Sequence, residues 1–319
     1  MSNSKLNFNN LEEIKDSLNS KSLKVCVIGI GRIGLPTALS FAKSGLQTIG
    51  VDINQELIKK INSGVFPLTD EPGYEDIFKQ VLNKKIFTVT SKIEDVVPNC
   101  DLILLSLPTP MDEKNIPDYS ALISVAKNLS NILSPNSLVI VESTIEPGFI
   151  ENEMISIISS SNRLKIEDTF QIGVCPENAN PGEILHDFTN LPRLVGGTNG
   201  NITQIIKLIY NFVFKVDLIE MPNCKTANAV KLTTNVFRDI NIAFVSELSL
   251  MFEKLGIDTL KVLEAAKMKY NFQIHYPGAG VGGPCLPINS YQLLNTAQRT
   301  GVKLNMIESG RRINEKMPE

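Results

Sequence analysis

The sequence predicts an α/β domain built on a parallel sheet, followed by a second, mainly α-helical domain. Two observations predict this. From Lys24 onward, short apolar runs alternate with longer stretches of helical periodicity, the pattern of parallel strands joined by crossover helices. After about residue 222 the strand-like runs stop and helical periodicity takes over. At 319 residues the chain is longer than one hydrophobic core usually supports, which agrees with two domains.

In chain order, the expected strands are KVCVIGI (24–30), LQTIGVDI (46–53), IFTVT (86–90), DLILLSLP (101–108), SLVIVEST (137–144), FQIGVCPE (170–177) and RLVGG (193–197). Between them TALSFAKSG (37–45), QELIKKINSG (55–64), SALISVAKNLSNILS (120–134) and IENEMISIISSS (150–161) carry amphipathic helical spacing. The second domain opens on one long helix, 224–256, closed by Gly256. A helix over 258–268, a glycine-rich loop over 276–287 and helices over 290–301 and 304–317 complete it. The domains expected are therefore an N-terminal extension over 1–20, mobile or helical, a sheet domain over 21–222 and a helical domain over 223–319.

Composition excludes several classes. With 43% hydrophobic and 20% charged residues, the chain reads as a soluble globular protein and not as a disordered or membrane one. The net charge of −3 argues against a nucleic-acid partner, while leaving room for a local basic pocket around one phosphorylated ligand. The five cysteines, Cys26, Cys100, Cys175, Cys224 and Cys285, are scattered without metal-ligand spacing, so no metal site and a reducing compartment are expected. Residues 1–22 are polar and no apolar run is long enough to cross a bilayer, so the expectation is a cytoplasmic protein with no membrane partner.

Gly29, Gly31 and Gly34 form G-I-G-R-I-G directly after an apolar strand and directly before a helix. Such glycines permit a tight turn, close approach of backbone N–H groups to a pyrophosphate, and close helix-to-strand packing. The helix N-terminus adds partial positive charge for phosphates. Asp52 follows at the end of the second strand, where a carboxylate can accept both ribose hydroxyls and would repel a 2′-phosphate. The sheet domain is thus expected to be Rossmann-like and to take NAD; Arg32 inside the turn works the other way. Candidate cofactor residues are Gly29, Gly31, Arg32, Ile33, Gly34 and Asp52, joined by Pro108, Thr109, Ser143 and Thr144 at later strand ends. In a parallel sheet those ends face the ligand crevice, so Glu142 or Glu177 could act there as a general base on water.

Cys285 stands in G-A-G-V-G-G-P-C-L-P, where four glycines in six positions let the backbone fold closely around a bound group. A thiol on such a loop can attack an aldehyde when a cation or amide dipole favours its thiolate; a small buried hydrophobe is the bland alternative. On the long helix, Lys231 and Asn235 lie four residues apart and share a face with Asn228 and Arg238. A lysine and an amide aimed at one point can stabilise a developing oxyanion; the bland alternative is a solvated helix face.

Taken together, these residues resemble the UDP-glucose/GDP-mannose dehydrogenases. The matching stretches are GIGRIGLPTA (29–38), LPTPMDEKNIPD (107–118), ESTIEPG (142–148), CPENANPGEI (175–184), LPRLVGG (191–197), KLTTNVFRDINIAFVSEL (231–248) and GAGVGGPCLP (278–287). They run in family order, and their detail is most similar to the branch acting on UDP-N-acetylmannosamine or UDP-N-acetylglucosamine. The resemblance implies two successive hydride transfers to NAD at C6 of a UDP-sugar, with Cys285 carrying a thiohemiacetal and then a thioester. It implies that Lys231 and Asn235 hold the C6 oxygen, and that Glu177 with a water near Thr144 serves hydrolysis. It places Asn178, Arg238, Gly282 and Gly283 with Glu177, Lys231 and Asn235 at the sugar, the backbone of Val281 to Gly283 lining it. It further implies a homodimer through the long helix, consistent with the apolar stripe over 236–252.

Two departures stand out. Four residues after Cys285 the family has an aspartate, and this chain has Asn289, a hydrogen-bonding group that brings no charge to face Lys231. Family members also continue past R-R-I-N-E-K-M-P (311–318) into a third, UDP-binding domain, whereas this sequence ends at Glu319. The expectation is a short form in which the nicotinamide site is built but remote binding energy for UDP is largely lost. Two alternatives are carried forward: a single-hydride β-hydroxyacid or 6-phosphogluconate-type dehydrogenase, which needs a lysine but no cysteine, and an NAD-binding core impaired in catalysis.

Overall fold

The structure, a computed structural model, describes residues 6–161, 163–283 and 285–318. Residues 1–5 of the expected N-terminal extension lie outside those described. The chain forms two compact units: residues up to Thr109 with Tyr119–Asn228, and Pro110–Asp118 with Ala229 onward. The division falls inside the long helix, after Asn228.

The first unit is an eight-stranded sheet in the order β3-β2-β1-β4-β5-β6-β7-β8. Its strands are β1 (Lys24–Ile28), β2 (Gln47–Val51), β3 (Phe87–Thr90), β4 (Leu102–Leu105), β5 (Ser137–Val141), β6 (Phe170–Val174), β7 (Arg193–Gly197) and β8 (Leu218–Glu220). All neighbours pair in parallel except β6 with β7. The central strands are apolar at almost every position because helices cover both faces. Val25, Val27, Leu102, Leu104, Leu138 and Ile140 enter the core on one face. Cys26, Ile28, Ile103, Leu105, Val139 and Val141 enter the core on the other. Register decides this division, since a one-residue slip would exchange the two sets.

The N-terminal extension is helical over Leu11–Asn19. Asn10 caps it by accepting the Glu13 N–H, and Ile14 and Leu18 are buried in the first core. Helix Gly200–Phe214, capped by Asn199, packs Ile202, Ile205, Ile206, Ile209 and Tyr210 into that same core.

The second unit is helical. The long helix runs Cys224–Lys254, followed by Thr259–Ala266, Leu286–Thr300 and Asn305–Lys316. Gly301, with φ +74°, ends the third of these in the left-handed conformation that favours glycine.

Candidate active site

The glycine turn begins where β1 ends. Gly29 has φ +87°, and a side chain there would bring Cβ to 2.6 Å from the Ser106 carbonyl oxygen. At Gly34 a Cβ would lie 1.8 Å from the Gly29 carbonyl oxygen, so helix Gly34–Lys43 starts hard against the turn. Gly31 is the opposite case: nothing lies within 4 Å of a Cβ built on it, which leaves open space beside the backbone. Ile33 occupies the N-cap without a side-chain hydrogen bond, so no side chain consumes the first N–H groups of that helix.

Asp52 follows β2. One carboxylate oxygen accepts the Ile30 N–H at 3.0 Å and the other accepts the Asn54 N–H at 2.9 Å. A carboxylate has about four acceptor positions, so Asp52 braces the turn and keeps capacity for hydroxyls. The Arg32 guanidinium is engaged elsewhere, by Asp70 at 2.7 Å and the buried Glu71 at 2.9 Å. Asp70 holds the Arg32 charge above its ordinary range, and Arg32 in turn holds Asp70 below its own. The side chain that argued for a 2′-phosphate is thereby committed to two acids.

The crevice between β1 and β4 is the switch point of the sheet, because the chain leaves β1 towards β2 on one side and β4 towards β5 on the other. Across the ends of β4 and β5, Leu107 N–H donates to Ser143 Oγ at 2.9 Å and Ser143 Oγ donates to Leu107 O at 2.8 Å. Thr109 Oγ1 donates to Thr144 O at 2.9 Å. Thr109, Ser143 and Thr144 are thus brought together at one strand end, with Pro108 exposed between Leu107 and Thr109.

Glu177 lies in the loop after β6. Its Oε1 accepts the Asn178 N–H at 2.6 Å and the Ala179 N–H at 2.8 Å. Its other oxygen is ion-paired with Arg193, whose guanidinium is buried among the rings of Phe188, Tyr210 and Phe214 at 4.4–5.2 Å. Burial works against the Arg193 charge, but Glu177, Cys175 and Glu142 outweigh it and hold the guanidinium above its ordinary range.

The expectation that Glu142 could act as a base is corrected here. It is 2% exposed, accepts hydrogen bonds from Ser106 Oγ at 2.6 Å and Tyr210 Oη at 2.7 Å, and stands 3.6 Å from Arg193. Burial raises its pKa despite those partners, and both its oxygens are engaged by side chains of the core. Arg193 and Tyr210 were missed in the sequence. The one available signal was a charged residue at the head of an otherwise apolar strand.

In the second unit Lys231, Asn235 and Arg238 follow one face of the long helix, passing from buried through half-buried to exposed. Asn235 Nδ2 donates to Asn289 Oδ1 at 2.5 Å, and Asn289 Nδ2 donates to Gln292 Oε1 at 3.0 Å. Asn289 therefore works as acceptor and donor at once, which an ionised aspartate cannot do. One turn earlier, Cys285 occupies the N-cap of helix Leu286–Thr300 and is exposed, whereas the other four cysteines are buried. Gly282 and Gly283 are exposed with nothing within 4 Å of a Cβ, and Gly283 has φ +85°. Behind this loop lies a second cluster that the sequence did not reveal, Asp239 with Ser290, Arg311 and Asn314. Among the described residues, no group of three His, Cys, Asp or Glu could hold a metal ion, and no helix is long and apolar enough to cross a membrane.

Comparison with known proteins adds to this geometry. Residues 23–214 match the NAD binding domain of the UDP-glucose/GDP-mannose dehydrogenase family, and residues 225–316 match its central domain. A UDP-N-acetyl-D-mannosamine dehydrogenase of Pyrococcus horikoshii is 36% identical over 296 residues, which is 93% of this chain and 69% of that protein. A UDP-N-acetyl-D-glucosamine 6-dehydrogenase of Salmonella typhi is 32% identical over 295 residues, 92% of this chain and 68% of that one. A solved structure of UDP-D-ManNAc dehydrogenase from Pyrococcus horikoshii superposes with a TM-score of 0.87 at 35% identity, covering 93% of this chain and 69% of that one.

Proposed function

This chain belongs to the UDP-glucose/GDP-mannose dehydrogenase family of NAD-dependent oxidoreductases, and on that premise we propose that it oxidises the C6 alcohol of a UDP-sugar to the carboxylate through a covalent intermediate on Cys285. UDP-N-acetylmannosamine and UDP-N-acetylglucosamine are the sugars favoured, by the names of the relatives above. The observation that carries the covalent step is the placement of Cys285. It is the exposed thiol of the five, at a helix N-terminus on a loop whose glycines leave room for a ligand, one turn from an Asn289–Asn235 hydrogen bond.

The first unit fits NAD. The open space at Gly31 admits a pyrophosphate that a side chain would exclude, the Gly34–Lys43 helix offers N–H groups, and Asp52 has acceptor capacity for the ribose. The Arg32 side chain, committed to Asp70 and Glu71, favours NAD over the form that carries a 2′-phosphate. NAD bound at this unit would supply the hydride acceptor, one NAD for each of the two oxidations. Cys285 sulfur adds to the aldehyde carbon between them, so the second oxidation yields a thioester, and water then releases the carboxylate and restores the thiol. Lys231 and Asn235 hold the C6 oxygen and stabilise its negative charge, with Asn289 orienting the Asn235 amide. Glu177, its carboxylate fixed by Arg193 and two backbone N–H groups, orients the hydrolytic water together with Thr144. Asn178, Arg238, Gly282 and Gly283 serve the sugar.

The test is NADH formation from NAD with UDP-N-acetylmannosamine, UDP-N-acetylglucosamine or UDP-glucose, each alongside Cys285→Ser. The expected result is about two NADH per sugar from the wild type and no more than about one from the variant, which cannot pass the aldehyde stage through a thioester. One NADH per sugar from wild type and variant alike would favour the single-hydride reading, which needs no cysteine.

A further inference from the structure

Asp239 and Arg311 form an ion pair at 2.9 Å, and both residues are buried, at 1% and 3% exposure. Replacing a buried ion pair by well-packed apolar residues is often neutral or stabilising, so stability alone does not account for one. What surrounds this pair does. Both terminal nitrogens of Arg311 reach the Val281 carbonyl oxygen at 3.4 Å, four residues before Cys285. The second oxygen of Asp239 accepts from Ser290 Oγ at 2.6 Å, five residues after it. Asn314 Nδ2 donates to the Asp239 backbone carbonyl at 2.9 Å and to its carboxylate Oδ1 at 2.8 Å. The Asn314 backbone also presses on Gly280, where a Cβ would lie 2.0 Å from its carbonyl oxygen. Glu315 takes a further N–H of Arg311 at 3.1 Å.

We infer that Arg311 and Asp239 are positioning residues for Cys285, clamping its loop on both sides so that the sulfur is held where the aldehyde forms. This rests on the reading of Cys285 as the nucleophile. Neither residue touches a reacting atom. Their effect passes through the Val281 carbonyl and the Ser290 hydroxyl, which fix the two ends of a ten-residue segment with the thiol near its middle. A nucleophile displaced by about an ångström loses on the order of a hundredfold in rate. The loss falls on capture of the aldehyde more than on its formation, because forming the aldehyde does not require the sulfur. A loosened clamp therefore releases aldehyde.

The experiment compares wild type, Arg311→Lys and the double variant Asp239→Leu/Arg311→Met. Lysine keeps the charge beside Asp239 and gives up the planar, two-nitrogen grip on Val281. The double variant removes the buried charges together. Amide hydrogen exchange without ligands is read over residues 278–290 and over the rest of the second unit. Turnover with NAD and whichever of the three UDP-sugars the wild type oxidises is read as NADH per sugar, with semicarbazide to trap aldehyde. Both variants are expected to exchange at least about tenfold faster over 278–290 and little changed elsewhere, with an unaltered KM for NAD and NADH per sugar falling from two towards one as trapped aldehyde rises. Unchanged exchange over 278–290 in both variants overturns the clamp, and so does a loosened loop that releases no aldehyde while Cys285→Ser stops at one NADH per sugar. If Cys285→Ser still yields two NADH per sugar, the nucleophile reading falls instead, whatever the exchange shows.

Discussion

Gly31 and Gly34 sit three residues apart in one turn, yet an added methyl group meets opposite surroundings at each. At Gly34 it would overlap a backbone carbonyl oxygen at 1.8 Å, and backbone cannot swing aside as a side chain can. Gly34→Ala is therefore expected to cost about 3 kcal/mol or more and to lower the melting temperature before any ligand is added. At Gly31 the methyl meets nothing within 4 Å, so Gly31→Ala should melt like wild type, within about 0.5 kcal/mol. Its NAD affinity should fall tenfold or more, since the methyl takes the space into which the pyrophosphate would fit. Melting curves and an NAD titration on the two variants separate the roles. Full NAD affinity in Gly31→Ala would remove that glycine from the cofactor site. Both glycines were legible in the sequence as one fingerprint, but the difference between them was not. It depends on which atoms from β4 and from the turn itself face each position.

The loop from β6 to helix Ile184–Asn190 has no regular structure of its own, and its backbone is held by three carboxylates. Glu177 accepts the N–H groups of Asn178 and Ala179, Glu71 those of Gly182 and Ile184, and Asp187 the backbone and side-chain N–H groups of Asn180. Burial pushes the Asp187 carboxyl up, but Asn180 and His186 outweigh it and hold its pKa below the ordinary 3.8. A depressed folded pKa contributes stability that is present above pH 3.8 and lost as pH falls through the folded value. Asp187→Asn should accordingly melt below wild type from about pH 5 upward, with the gap closing as pH drops below that range. A gap that stays constant from pH 7 to pH 3 would mean that the carboxylate charge contributes nothing there. This loop shows where sequence reading stops. The strands β1 to β7 were legible because each is an apolar run bounded by turn residues. Helix Gly200–Phe214 was missed although Asn201, Gln204 and Asn211 mark an exposed face opposite Ile202, Ile205, Ile206, Ile209 and Tyr210, because its β-branched residues have the composition of a strand. The three-residue β8 is too short to show an alternation. Glu71 and Gly182 stand 111 residues apart, and Arg311 and Asp239 stand 72 apart, so no local spacing announces either contact.

At the scale of the whole molecule, the long helix carries an unexplained seam. Phe237, Phe244 and Met251 recur every seven residues and remain 47%, 49% and 48% exposed, while Asn241 and Leu248, at the intervening positions, are half-buried. A seven-residue apolar repeat is the spacing that keeps one stripe facing a partner helix, and a single polar residue within it sets register at some cost in stability. The helix has 31 residues, about 45 Å at the usual rise, so the stripe extends over much of a helix long enough for a two-fold interface. A second copy of the chain is the partner proposed, with each copy presenting the same stripe. Light scattering should then give twice the 35.2 kDa mass of one chain, and Phe244→Glu combined with Met251→Glu should return a single chain. NAD affinity should survive that separation, because Gly29 to Gly34 and Asp52 all belong to the first unit and the substitutions lie in the second. A wild-type chain that stays single at tens of micromolar would reject a two-fold partner for the seam. Loss of NAD affinity on separation would mean that the first unit depends on the interface, contrary to a cofactor site built from residues of one unit.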